Sequence, residues 1–421
     1  MNCNKVSVVA LAGLFFSLAV NVTAENPPLP VIPTKTFNVA KYGGVGDGKT
    51  LNTAAIQKTI DAASAAGGGI VLIPEGKFLT GPFTLASSIN LHLDKGATIL
   101  ISDDMKNHPL SGKRYEDCIT ASDAHDVEIS GEGTIDGQGQ AWWTAFEADR
   151  NMPHRPYMIA LNKCTRVLVA GVTLCNSPMF HLVPRNCTDV TIKGITIKSP
   201  SNAHNTDGID PSGWNYLFTD CVIDCGDDNI AIKPNRSRTP GNKNYTITNC
   251  KFLHGHGMSI GSGTEGGIEN LKVSNCLFDS TDAGIRIKTL RGRGGVLQNL
   301  TYENLTMKNV KYAIRIIDYY PERTAPKDPS TEKSQPVTDT TPINKNIMIR
   351  NVTATDSPYA GQIWGLPEAP ITDVTLSNVT ISAKKGLQIY YAKGIRFIDS
   401  KITVESGKPL ITYDAEVSGF K

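Results

Sequence analysis

Asp207 in NTDGID, Asp227 and Asp228 in CGDDNIAIK, and His256 in GHGMSIG fall at corresponding places in consecutive repeats of the chain. In a repeat protein corresponding places become spatial neighbours, so these four residues should converge on one acidic site. Adjacent residues of an extended chain point different ways. Asp207 and Asp228 are therefore expected to meet from neighbouring coils while Asp227 projects apart from them, with His256 one coil on in the Asp227 column. A carboxyl set apart from a carboxylate pair suits inverting hydrolysis of a glycosidic bond. One carboxylic acid protonates the leaving oxygen and a carboxylate activates water on the opposite face of the sugar, the two roles standing ~6.5–9.5 Å apart. Asp227 then reads as the general acid, Asp207 and Asp228 as holding and activating the water, and His256 as tuning the proton. Three crowded carboxylates should also raise at least one pKa. A retaining enzyme would need one nucleophile ~5–5.5 Å from the acid, and no single carboxylate is isolated for that role.

Taken singly, these residues are ordinary: Asp-Asp at a strand bend and a lone GHG are usually turn chemistry, and acidic clusters equally suit Ca²⁺. Their register is what favours catalysis. Stretches of nineteen residues starting at Asn215, Asn244, Asn270 and Asn299 align without a gap, at offsets of 29, 26 and 29 residues. Carrying the alignment back one coil with a five-residue insertion puts Asp207 in the column of Asp228.

Each unit holds short runs of alternating apolar residues separated by Asn, Asp or Gly, which reads as strands joined by tight bends. Similar units precede these four and three more follow, from Asn346, Asp373 and Gly394. A period of 20 to 30 residues fits an all-β parallel β-helix better than a propeller, whose blades run ~40 residues or more. Residues Asn52 to Ala66 have helical spacing, with Ala55, Ile56, Thr59, Ile60 and Ala63 on one face and Gly67 to Gly69 as a stop. This reads as an N-terminal capping helix over an otherwise open first coil. The Pro- and charge-rich stretch from Tyr319 to Pro342 lies between two units and reads as a long inter-coil loop on the binding face.

Residues 1–24 have a Lys near the start, an apolar run from Val6 to Val20 and small residues at Val22 and Ala24, the pattern of a secretory signal peptide. A secreted or periplasmic protein with one domain over 25–421 is expected, without a membrane anchor. The remaining eight cysteines permit disulfides, but Cys221, Cys250 and Cys276 share one column, where a ladder of buried thiols fits equally well. The N-x-T sequons at Asn244, Asn299, Asn304, Asn351 and Asn378 recur at the repeat bend and read mostly as turn chemistry. A net charge of +2 is too small to steer an anionic polymer by itself, and RGRGG is too short to indicate nucleic acid.

Downstream, GIRIKT supplies Arg286 and Lys288, two residues apart on one strand face, and KYAIRI supplies Tyr312 in the column of Asp228. Two isolated basic residues more often mark a solvated face. Within two coils of an acidic cluster they could instead clamp a substrate carboxylate. Tyr312 either stacks on a sugar or covers a core edge.

In this order and at these intervals, NTDGID, GDDNIAIK, GHGMSIGS and GIRIKT resemble the four signature segments of the polygalacturonase family of pectin-degrading glycoside hydrolases. FNVAKYGGVGDGKTLNTAAIQ and GEGTIDGQGQAWW resemble that family's opening segments. The resemblance implies a right-handed single-stranded parallel β-helix, no metal or other cofactor, and inverting hydrolysis of α-1,4-galacturonosyl bonds in an anionic pectic chain. It places the acid on Asp227, water activation on Asp207 and Asp228, assistance on His256, carboxylate binding on Arg286 and Lys288, and further substrate contacts on Asn205 and Tyr312. A monomer is expected. Some members have Cys where this chain has Asn229. Alternatives are a hydrolase of decorated pectin, a Ca²⁺-dependent pectate lyase on the same architecture, and a carbohydrate-binding β-helix.

Overall fold

The computed structural model describes residues 26–234 and 241–421; residues 1–24, expected from sequence to be a signal peptide, lie outside them. The chain winds into a right-handed parallel β-helix, each coil pairing in parallel with the next. One face carries the site and is built from Phe83–Thr84, Ile119–Ser122, Ile159–Asn162, Leu182–Arg185, Ile230–Ile232, Met258–Gly261, Ala283–Lys288 and Tyr312–Ile317, and then from parts of Ile343–Trp364 and Ile371–Ile398. Between Leu182 and Ile230 the coil contributes only Ile209, bridged to both.

Inward-facing residues stack coil on coil. Ile209, Ile230, Met258, Ile285 and Ile314 form one ladder and are wholly buried. On another wall Tyr216 stacks on Tyr245 with centroids 5.0 Å apart. Such a continuous core is what lets residues distant in sequence hold fixed relative positions.

Asparagine makes the bends. Asn244, Asn270, Asn299 and Asn346 have φ between 54 and 62°, the left-handed region that Asn tolerates best after glycine. Their side chains form a ladder in which Asn270 donates to Asn244 at 3.1 Å, Asn299 to Asn270 at 3.1 Å and Asn346 to Asn299 at 2.7 Å. A second ladder joins Asn275, Asn304, Asn351 and Asn378 at 3.0 Å per step. Asn244, Asn299, Asn304, Asn351 and Asn378 all belong to these ladders, so turn chemistry accounts for the recurrence of their sequons. The thiol column is equally regular: Cys221, Cys250 and Cys276 each donate to the carbonyl two residues earlier, at 3.2–3.3 Å.

The helix Thr53–Ala65 buries Ile56, Thr59, Ile60 and Ala63, while Ala55 stays half-exposed. It packs against the first strands, Thr36–Asn38 and Gly69–Ile73. Asn52 lies outside the helix, its amide accepting from Val45 N at 2.7 Å and donating to Thr50 O at 2.7 Å. A second helix, Gln140–Ala148, has no counterpart in the sequence reading; it projects from a coil and buries Trp142. The Tyr319–Pro342 stretch is an inter-coil segment with two single 3-10 turns, Glu322–Thr324 and Pro329–Thr331. Arg291 clamps it, donating to Glu332 at 2.5 Å and to Glu368 at 2.6 Å, and Tyr391 hydroxyl bonds Pro329 O.

Candidate active site

Backbone hydrogen bonds from Gly208 N to Asp228 O (2.8 Å) and from Ile209 N to Asn229 O (3.1 Å) set Asp207 beside Asp228, the column that the inserted alignment gives. His256 is displaced from its expected column. Ile223 pairs with Phe252 as the gapless alignment requires, but Ile230 pairs with Met258 rather than Ser259. The GHG bend is one residue shorter than the bend of the coil before it. His256 therefore falls opposite Asp228 instead of Asp227, with its N–H donating to Asp227 O at 2.8 Å. Glycine makes the shorter bend possible. Gly257 has φ 83°, and a Cβ there would lie 1.9 Å from the Ala283 carbonyl oxygen.

From this bend His256 faces three carboxylates: Nδ1 is 3.0 Å from Asp227 and 3.7 Å from Asp228, and Nε2 is 3.5 Å from Asp282. Asp227 is the most open of the three aspartates, with a side chain 21% exposed against 4% for Asp207 and 2% for Asp228. One Asp227 oxygen accepts from Asp228 N at 2.8 Å, and the other is 3.5 Å from the Asn205 amide nitrogen. Asn205 is turned that way by Arg155, which donates to its side-chain oxygen at 3.1 Å.

Arg286 and Lys288 do not form a solvated face. Both are buried and reach two coils back to Asp228, Arg286 at 2.6 Å and Lys288 at 2.5 Å, while Ser259 hydroxyl donates to the same carboxylate at 2.9 Å. Burial would push Asp228 up, but Lys288 and Arg286 outweigh it and hold the carboxyl well below the usual range. Asp207 goes the opposite way: burial and the neighbouring Asp210 raise it well above that range, against the pull of Lys233. Lys233 Nζ is 3.1 Å from Asp207 and also bonds Asp210. Asp207 Oδ1 and Asp210 Oδ1 are buried and have no hydrogen-bond partner among the described residues. Burial also opposes the charge on Asp227, yet the His256 hydrogen bond leaves its pKa below the usual value.

Tyr312 pairs with Ala283 further along the face and stacks on Tyr359 with centroids 4.7 Å apart, the Arg315 guanidinium lying 4.4 Å from its ring. Only 7% of it is exposed, so most of its surface serves packing. Among the described residues Asp227, Asp228 and His256 form a group whose ligand atoms lie within 4.8 Å. Charge argues against a cation there, because Asp228 already carries two buried cationic partners that a metal would have to displace. Asp210, Ser259, Asp282, Arg155 and Lys233 contribute to the site without having been singled out. Lys233 carried a usable signal as the last residue of GDDNIAIK, whereas Arg155 lies fifty residues before Asn205 in a stretch with no repeat motif.

Residues 66–400 match the family model described as glycosyl hydrolases family 28. The chain belongs to that family. A probable polygalacturonase of Vitis vinifera is 33% identical over 376 residues, covering 82% of this chain and 74% of the relative. An endo-polygalacturonase of Pectobacterium carotovorum subsp. carotovorum is 33% identical over 363 residues, covering 80% and 86%. Among solved structures, a hyperthermoactive exopolygalacturonase from Thermotoga maritima superposes with a TM-score of 0.75 at 25% identity, covering 93% of this chain and 94% of that one. As a family 28 member the chain is a glycoside hydrolase of the polygalacturonase type. Its relatives include both exo- and endo-acting enzymes.

Proposed function

We propose that this glycoside hydrolase is secreted, binds an anionic pectic chain along the face described above, and hydrolyses α-1,4-galacturonosyl bonds with inversion. The observation that carries the reading is the division of the carboxylates: Asp227 is open and bonded to His256, while Asp207 and Asp228 are buried side by side one step away. Asp227 protonates the leaving oxygen. Asp207, whose Oδ1 has no hydrogen-bond partner among the described residues, takes the proton from the attacking water. Asp228, held ionised by Arg286 and Lys288, orients that water and balances charge. The same two cations attract the carboxylate of the bound sugar.

Asp227 sits low and Asp207 high, the reverse of what the two roles require. The working protonation state is therefore a minor state of a coupled group. An incoming uronate supplies the acid half of that state, because excluding water and adding negative charge beside Asp227 both raise that carboxyl. Digestion of polygalacturonate with a chelator present tests the reading. New reducing ends without an unsaturated, ultraviolet-absorbing product support it, and an unsaturated product that vanishes on chelation refutes it in favour of a lyase.

A further inference from the structure

Arg155 is 2% exposed, and its guanidinium spends its donors on uncharged oxygens: Pro178 O at 2.9 Å, His204 O at 3.1 Å and the Asn205 side-chain oxygen at 3.1 Å. Glu147, the acid that acts on it, is engaged with Arg150 and His204 instead. Burying a cation in this way is costly, and burial, with Arg150 nearby, lowers the guanidinium to about 10. The projecting helix Gln140–Ala148 supports it. Phe146 presents its ring to the guanidinium at 4.2 Å, and Trp143 Nε1 ties the helix to Ser177 O at 3.0 Å, next to the Pro178 that Arg155 holds.

Two of the three bonds fall on the turn that delivers Asp207. Asn205 stands in that turn with φ 58°. A guanidinium only donates, so the Asn205 oxygen must face Arg155 and its NH2 must face the other way, toward Asp227 Oδ2 at 3.5 Å. Asp227 Oδ1 is already occupied by Asp228 N at 2.8 Å and His256 Nδ1 at 3.0 Å. The proton that Asp227 delivers therefore belongs on Oδ2, beside Asn205. With the amide reversed, a carbonyl oxygen would stand where the NH2 now is and would accept that proton.

We propose that Arg155 is a positioning residue: by holding the Asn205 oxygen it keeps the NH2 toward Asp227, so that the amide carbonyl cannot capture the proton meant for the leaving oxygen. The inference rests on Asp227 being the general acid, as proposed above, and deepens that reading. Buried as it is, Arg155 acts through Asn205. Asp227 also faces His256, Asp228 and Lys288, with Asp207 close by, and all four are kept in the variants that test the role.

The experiment reads kcat against pH on a galacturonate hexamer for the wild type, Arg155→Met, Arg155→Lys, Asn205→Ala and the two double variants with Asn205→Ala. Arg155→Met should lower the maximal kcat about tenfold or more, the scale of one charge-assisted hydrogen bond. Its basic limb should also move up by about half a pH unit or more, because the reversed amide favours protonated Asp227. Arg155→Lys keeps the charge but not the planar fork, and should fall between. On Asn205→Ala there is no amide to orient, so either Arg155 substitution should change the rate by no more than about twofold and leave the limb in place. An unchanged rate in Arg155→Met overturns the proposal, as does a lower rate at an unmoved limb, which marks a purely structural role. A loss or shift that persists without Asn205 overturns it too, as a direct charge effect. If Arg155→Met does not fold, Arg155→Lys with and without Asn205→Ala decides by the same criteria. If Asp227→Asn is inactive while the Arg155 variants break the pattern, only the positioning role fails. If Asp227→Asn keeps the wild-type rate, or the wild type cleaves no hexamer, the functional reading itself fails.

Discussion

Lys288 and Asp228 form an ion pair across two coils of the β-helix, with both side chains at least nine-tenths buried. Asp228 depends on that partner and on Arg286 to remain charged in a dry interior.

Removing one member of such a set leaves an uncompensated buried charge. Lys288→Met should therefore destabilise the protein by about 3–5 kcal/mol in urea unfolding at neutral pH. The pH dependence has a definite sign. Because its folded pKa is depressed, Asp228 contributes stability that is fully present above its unfolded pKa of about 3.9 and is lost as pH falls through the lower folded value. In Lys288→Met the folded pKa rises, so that contribution should be smaller and the stability lost on acidification correspondingly reduced. Wild-type stability and an unchanged acid profile would show that the pair contributes nothing to the fold.

Lys233 acts on Asp207. Burial and Asp210 already raise the Asp207 carboxyl, with Asp227 and Asp228 adding to the effect, and Lys233 is the cation that opposes them. Lys233→Met should move the acidic limb of kcat/KM upward by about one pH unit or more, because Asp207 must lose its proton to accept one from water. Lys233→Arg should bring the limb most of the way back. A fall in rate at unchanged limb position would assign Lys233 a structural role only.

The clamped segment bears on how the chain is cut. Tyr320 and Glu322 from this segment join Arg286, Lys288 and Arg315 around a cavity of about 200 Å³ beyond Asp228. Glu322 bonds Arg315, and Lys288 Nζ lies 5.3 Å from the Tyr320 ring. We propose that a wall at this position favours removal of terminal units, with monomer as the dominant product of early digests. Arg291→Ala, which frees Glu332 and Glu368, should broaden the early products to mixed oligomers. Mixed oligomers from the wild type at the earliest times would contradict the exo reading.

How far the sequence revealed this site depends on whether geometry follows the repeat. Asp207 could be placed beside Asp228 because a five-residue insertion leaves the flanking isoleucines in register. The offset of His256 escaped notice because the two apolar runs before it align without a gap, and only the third strand slips, after a bend that two glycines shorten. Residue types told that Arg286 and Lys288 share a face, but not that both would be buried against Asp228. That outcome depends on side chains spanning two coils, which strand periodicity does not encode. Arg155 and Gln140–Ala148 come from segments outside the repeat, where there is no column to compare.

The central claim is that Asp227 supplies the proton to the leaving oxygen. The most direct measurement is single-turnover cleavage of a galacturonate hexamer by Asp227→Asn, with hexamer affinity measured on the same sample. The rate should be about 10²–10⁴-fold below wild type, as expected for loss of a general acid, at nearly unchanged affinity and thermal stability. A rate within a few-fold of wild type would contradict it and move the acid to another residue.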